Sequence, residues 1–156
     1  MQSEIYEEIY ERHVSMLYRV CLSYVKNFSD AEDIVADVFV KLLRRGMGFE
    51  NSEHEKAWLL RTAINLCKDH LKHWWRKRES INYYSNLESE NPLYEDETLK
   101  MIMELPEKYK AVMYMYYYEG YSSLEIAEIL KKPRSTVLNH LHEARKRMKE
   151  VLSCEE

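Results

Sequence analysis

Apolar residues recur every three or four positions along most of this chain, with two interruptions. Ile5, Ile9, Val14, Leu17, Tyr18, Cys21, Tyr24 and Val25 make one stripe, and Ala31, Ile34, Val35, Val38, Phe39, Leu42 and Leu43 make a second. That spacing predicts two amphipathic helices. Ser29, with Glu32 three residues on, predicts a capped start for the second helix. Residues 46–55, with Gly46, Gly48, Asn51 and Ser52, read as a loop. A third helix is expected from about Glu55 to about Lys77. The period then lapses in SINYYSNLESENPLYEDE (80–97), a stretch rich in Ser, Asn and acid that contains Pro92 and reads as a linker.

Periodicity returns in LPEKYKAVMYMYYYEGYSSLEIAEILKKPRSTVLNHLHEARKR (105–147) as helix, turn, helix, turn and long basic helix. Pro106 suits a helix start because its missing amide proton has no partner there. Tyr109, Val112, Met113, Tyr116 and Tyr117 follow helical spacing, and Gly120 ends the run. Ser122 and Glu125 form a capping-box pair ahead of Ile126, Ala127, Ile129 and Leu130. Pro133 breaks the chain again, and Ser135 is the expected N-cap of the last helix. Val137, Leu141, Ala144, Met148 and Val151 give that helix its inner stripe. Ser135, Thr136, Asn139, His142, Glu143 and Lys146 lie opposite, and such an outer face on a tri-helical scaffold is what groove reading requires. A helical bundle with a polar face is the plainer alternative.

Composition agrees with an all-α chain: 156 residues hold only three glycines and three prolines. The fold class expected is two small helical domains joined by a linker, with an N-terminal unit at 1–78, a linker at 79–96 and a C-terminal unit at 97–153. The net charge of −4 disfavours nucleic acid until it is divided by segment. Residues 56–78 carry seven Lys or Arg against one Asp, and residues 131–149 carry seven against Glu143 alone, so each is net +6. Acid is concentrated elsewhere: residues 1–55 have six basic and eleven acidic side chains, and 79–107 have Lys100 against eight acids. The chain is acidic on average and basic twice. An acidic linker between two basic surfaces is either simply solvated or folds back to shield them.

The first basic segment has internal order. Arg61, Asn65, Lys68, Lys72, Trp75 and Arg76 fall within roughly 100° of the third helix's circumference. Lys and Arg suit phosphates, Asn65 both donates to and accepts from a base edge, and Trp75 offers a plane for an unstacked base. Leu59, Thr62, Ala63, Leu66, His70 and Trp74 take the inner side. On the second helix, Asp33, Asp37, Lys41 and Arg44 surround Val40. Two readings stand there: an ordinary i,i+4 charge pair, or a docking surface in which charge sets register and Val40 is buried.

Three stretches, DAEDIVADVFVKLL (30–43), AWLLRTAINLCKDHLKHWWRKR (57–78) and LPEKYKAVMYMYYYEGYSSLEIAEILKKPRSTVLNHLHEARKRM (105–148), resemble the extracytoplasmic-function (ECF) sigma factors of bacterial RNA polymerase, in that family's order. The resemblance implies a three-helix region-two domain and a helix-turn-helix region-four domain. Asp33, Asp37, Val40 and Lys41 would dock on core RNA polymerase. Arg61, Asn65, Lys68, Lys72, Trp75 and Arg76, with the preceding loop, would engage the minus-ten element and hold an extruded base of the melted non-template strand, Asn65 forming part of that pocket. Ser135, Thr136, Asn139, His140, His142, Glu143 and Lys146 would read the minus-thirty-five element as double-stranded promoter DNA. An anti-sigma factor is implied as a further partner.

The recognition helix departs from the family pattern. Leu138, His140 and Glu143 replace residues that are usually basic, so fewer phosphate contacts are expected, with Asn139 suited to adenine and Glu143 to cytosine. A second functional class, a homodimeric helix-turn-helix regulator, fits the C-terminal half but leaves the first basic stripe unused. An enzyme is not expected, since no phosphate loop or catalytic triad pattern is present. No cofactor or metal is expected either: Cys67, His70 and His73 are too far apart around one helix. Cys21, Cys67 and Cys154 are an odd, scattered set that suits a reducing compartment. With no apolar run long enough to insert in a membrane, a cytoplasmic location is expected.

Overall fold

In a computed structural model of the chain, the backbone of residues 2–77 and 96–155 is described, with the side chains of 3–73 and 96–150. The expected linker, Trp74, Trp75, Arg76, Val151 and Cys154 therefore lie wholly or by their side chains outside the described residues. The chain divides into two compact units, residues 1–89 and 90–156.

Unit one is three helices, α1 (Gln2–Val25), α2 (Phe28–Arg45) and α3 (Ser52–Lys77), each packed on the other two. The α1–α2 connection is two residues long. Lys26 takes a left-handed conformation (φ 56°) and returns its N–H to the Leu22 carbonyl at 3.0 Å, which closes α1. Asn27 opens α2, its side-chain oxygen accepting from the Asp30 N–H at 3.1 Å. The cap is thus Asn27 rather than Ser29, because α2 begins before Ser29 and places it inside the first turn. Leu17, Val20, Cys21, Ala31, Val38, Leu42, Leu59, Ala63, Ile64 and Cys67 close completely into the core.

The loop before α3 is shorter than the glycine pattern predicts. Asn51 caps α3 by accepting from the His54 N–H at 2.8 Å, so the helix starts at Ser52 rather than near Glu55. Glu55 in its first turn is buried, with one carboxylate oxygen 2.8 Å from both Arg12 Nη1 and His13 Nε2 on α1. A buried carboxylate at a helix N-terminus is favoured by the positive end of the backbone dipole. Together these bonds fix where α3 begins relative to α1.

Unit two contains α4 (Glu97–Met103), α5 (Glu107–Tyr117), α6 (Ser123–Leu130) and α7 (Arg134–Glu155). Helix α4 is an addition to the expected three. Asp96 caps it by accepting from the Leu99 N–H at 3.1 Å, and Tyr118 Oη donates to the same carboxylate at 2.6 Å. That pairing ties the start of α4 to the end of α5. Ile102, Leu105, Tyr109, Met113, Ala144 and Met148 form a shared core. After α5, Gly120 adopts φ 69°, a conformation costly for a side-chain-bearing residue, and the chain turns so that Tyr121 N–H reaches the Met115 carbonyl at 3.1 Å.

The capping box is formed at α6: Ser122 Oγ accepts from Glu125 N–H at 3.2 Å while Glu125 Oε1 accepts from Ser122 N–H at 3.0 Å. Those two bonds hold the Glu125 carboxyl below its ordinary pKa. Helix α7 starts at Arg134, with the Pro133 carbonyl accepting from Thr136 and Val137. Ser135 is therefore within the first turn rather than at the N-cap.

Candidate nucleic-acid interface

Helix α2 buries one face so fully that its other face is sharply defined. With Ala31, Ile34, Val35, Val38, Phe39 and Leu42 inside, Asp33, Asp37, Val40 and Lys41 are all exposed, as expected. Ala36 and Leu43 join them. Leu43, expected inside by its spacing, is 55% exposed, and Val40 is 44% exposed. Ala36, Val40 and Leu43 stand four and three residues apart, so they line one apolar strip, with Asp33 and Asp37 towards one end and Lys41 and Arg44 towards the other.

The α3 stripe is partly open. Asn65 and Lys72 are exposed, Arg61 and Lys68 half-buried, and the side chains of Trp75 and Arg76 lie outside the described residues. Trp58, half-buried, stands three residues before Arg61 and seven before Asn65, which extends the stripe towards the α2–α3 loop. Phe49 from that loop approaches Trp58 at 6.0 Å between ring centroids. Arg45 lies over both rings, its guanidinium carbon 4.0 Å from the Phe49 centroid and 5.4 Å from that of Trp58. Arg45 Nη1 also donates to the carbonyls of Gly46 (3.0 Å) and Gly48 (3.2 Å). The loop is thereby folded back on a cation–aromatic stack. Sequence reasoning missed this platform, although Trp58 keeps the spacing of the stripe.

In unit two, Val137, Leu141, Ala144 and Met148 are buried and Ser135, Asn139, His142 and Lys146 are exposed, with Thr136 and Glu143 half-buried on the flank. Arg134 Nε donates to Ser123 Oγ at 3.3 Å, joining the first residues of α6 and α7. His140 is different from its neighbours. Its ring stands edge-on to Tyr109 at 5.4 Å, and burial, with Lys132 and Lys108 nearby, lowers its pKa from the ordinary 6.5. A neutral, half-buried imidazole is a poor phosphate ligand.

The partly open α3 stripe of unit one and the polar outer face of α7 occur within sequences that match known regions. Residues 9–82 match Sigma-70 region 2, and residues 95–148 match Sigma-70, region 4. The chain is 34% identical over 149 residues to RNA polymerase sigma factor SigV of Bacillus subtilis, covering 92% of this chain and 89% of that protein. It is 25% identical over 170 residues to ECF RNA polymerase sigma factor SigW of the same organism, covering 96% and 89%. The chain belongs to the ECF sigma factors of the sigma-70 family. As an RNA polymerase sigma factor it binds core polymerase and directs it to promoters, and a free-standing homodimeric regulator is not favoured. The fold of this sigma factor is also that of the sigma factor RpoE solved with the anti-sigma factor NepR from Bartonella quintana, with a TM-score of 0.67 at 20% identity, covering 96% of this chain and 98% of that one. Among the described residues no helix is long and apolar enough to cross a membrane.

Proposed function

We propose that the two units divide promoter recognition between them, with residues 1–78 binding core polymerase and the minus-ten element, 97–153 binding the minus-thirty-five element, and 79–96 connecting them along the polymerase. On α2, Asp33, Asp37, Val40 and Lys41 dock on core polymerase, and Leu43 extends their apolar strip. Charges of both signs around a small apolar centre give register and on-rate, while burial of the centre gives affinity.

On α3, Arg61, Lys68, Lys72 and Arg76 neutralise phosphates of the minus-ten region, and Asn65 bonds a base edge. Extruding a base from the duplex costs a few kcal/mol, and stacking on an aromatic plane returns about 1–3 kcal/mol per base. Trp75 was the plane expected from spacing. Phe49 and Trp58, tilted 55° to each other with Arg45 over both, add aromatic surface at the loop end of the same stripe. The observation carrying this reading is that Asn65 and Lys72 are exposed and Trp58, Arg61 and Lys68 half-buried along one face of α3, while Leu59, Leu60, Ala63, Ile64 and Cys67 on its inner side are completely buried.

On α7, Ser135, Thr136, Asn139, His142, Glu143 and Lys146 face the major groove, and His140 supports the helix through Tyr109. The polymerase performs the chemistry, so the sigma factor contributes no catalytic group and acts in the cytoplasm where its partner works. The RpoE relative is held by an anti-sigma factor, and an anti-sigma factor covering the polymerase-binding strip is the corresponding partner here. Run-off transcription from DNA upstream of the protein's own gene, with purified core polymerase, tests the function directly. A sigma-dependent transcript is expected and Asp37→Arg weakens core binding; a homodimer that binds duplex DNA tightly without core binding would replace this reading.

A further inference from the structure

Leu138 is the apolar exception on the outward side of α7. It is 47% exposed, among the most exposed large hydrophobic residues in the described chain. It sits in the second turn of α7, one turn after Arg134 and one turn before His142, with Ser135 three residues back and Asn139 next to it. On its own helix the other residues within one turn are polar, except Val137 and Leu141, which are buried and belong to the core. A protein-docking strip of the kind seen on α2 has several apolar residues in succession. Here a single branched side chain stands among hydrogen-bonding groups.

The major groove has the matching surface. The one methyl group among its donors and acceptors is the C5-methyl of thymine. Recognition helices bring their N-terminal residues to base edges, and Leu138 is the fifth residue of α7. Its neighbour Arg134 is anchored to Ser123 at 3.3 Å, which holds this end of the helix against α6. A leucine at this position gains nothing from a phosphate, and leaving it in water gains nothing for the fold.

We infer that Leu138 is a specificity-determining residue that reads a thymine C5-methyl in the minus-thirty-five element, next to a base edge bonded by Asn139. The inference rests on the proposed function of α7 and adds the base type that the polar residues leave open. Burying one methyl against the leucine is worth about fourfold in affinity.

The test uses holoenzyme assembled from the full chain and core polymerase. Minus-thirty-five sequences are selected from a duplex pool randomised over that region. In the selected duplex each thymine is replaced singly by deoxyuridine, which removes the methyl and keeps every hydrogen-bonding group. Wild-type holoenzyme should lose about fourfold in affinity at one or two positions. Leu138→Ala should bind the thymine duplex about fourfold more weakly, lose nothing further with deoxyuridine at those positions, and bind core polymerase normally. The deoxyuridine series needs no variant, so a folding defect cannot mask the result. Indifference of wild-type holoenzyme to deoxyuridine everywhere overturns the inference and leaves the sigma reading intact, as does Leu138→Ala retaining the sensitivity. Leu138→Ala weakening core binding instead assigns the residue to a protein contact and also overturns it. Failure to select any sequence removes the proposed role of α7 and the inference together.

Discussion

Leu43 offers the sharpest test of the polymerase-docking strip, because it is a large apolar side chain that the fold leaves outside. Complete burial of a leucine side chain is worth about 1.5–3 kcal/mol relative to exposure. With 55% of Leu43 still exposed, roughly half of that, about 0.8–1.6 kcal/mol, remains to be gained when a partner covers it. Leu43→Ala should therefore weaken core binding by about 4- to 15-fold. Its effect on the free protein should be small. Leu42, completely buried one position earlier, is the internal control, since Leu42→Ala should cost about 2–5 kcal/mol of stability through the cavity it leaves. The assay is fluorescence-detected titration of labelled sigma factor with core polymerase, run beside urea unfolding of each variant. Unchanged core affinity for Leu43→Ala, with normal folding, would refute the assignment of this strip to polymerase. A stability loss as large as that of Leu42→Ala would refute the outward placement of Leu43.

Other outcomes follow from the same geometry. Lys72→Ala should weaken promoter binding and reduce the slope of log K against log salt by about 0.7–0.9, measured by titrations across a salt series; an unchanged slope removes the α3 stripe from the DNA interface. Ser122→Ala removes the hydroxyl half of the capping box on α6 and should cost about 0.5–2 kcal/mol, read by chemical unfolding of the chain, with Ser122→Asp largely restoring it. His140 gives a pH dependence whose sign is set by its lowered pKa. Below the ordinary 6.5, unfolded chains take up a proton that the folded imidazole, half-buried beside Tyr109 and near Lys132 and Lys108, resists. Stability should thus fall as the pH drops from about 6.5 through the folded pKa and level off below it, and His140→Gln should flatten that part of the curve in thermal melts.

The outward positions of α2 and α7 were legible where polar and apolar positions alternate cleanly. On α2, six buried residues keep strict helical spacing, so the placement of Asp33, Asp37, Val40 and Lys41 on the outside followed from arithmetic. The same holds for α7, where Val137, Leu141, Ala144 and Met148 define an inside and Asn139 and Lys146 an outside. The capping box at Ser122 and Glu125 was equally readable, because both partners lie within four residues of each other. In the run from Met113 to Tyr118 almost every position is apolar, and period alone then assigns no face. The structure buries Tyr114 and Met115 and leaves Tyr116 and Tyr117 at 40% and 56% exposure, the reverse of the spacing-based choice. Tyr114 is held by stacking on Tyr118 at 5.2 Å and by donating to Glu119 at 3.0 Å, and Arg145 from α7 covers one side of Tyr116 at 4.6 Å.

Local chemistry along the chain determined that this protein is helical, where most of its helices run, which faces they bury, and that two basic surfaces alternate with acidic stretches. Those properties depend on residues no more than about two turns apart, and they are written in consecutive positions. Tertiary packing alone decided the burial of Glu55, which needs Arg12 and His13 from another helix, and the outward placement of Leu43, which spacing assigns to the inside. It also decided the platform of Arg45, Phe49 and Trp58, where a loop closes on a helix that begins after it. A side chain's partners across thirty or forty positions are set by how helices meet, and periodicity within one helix carries no record of that meeting.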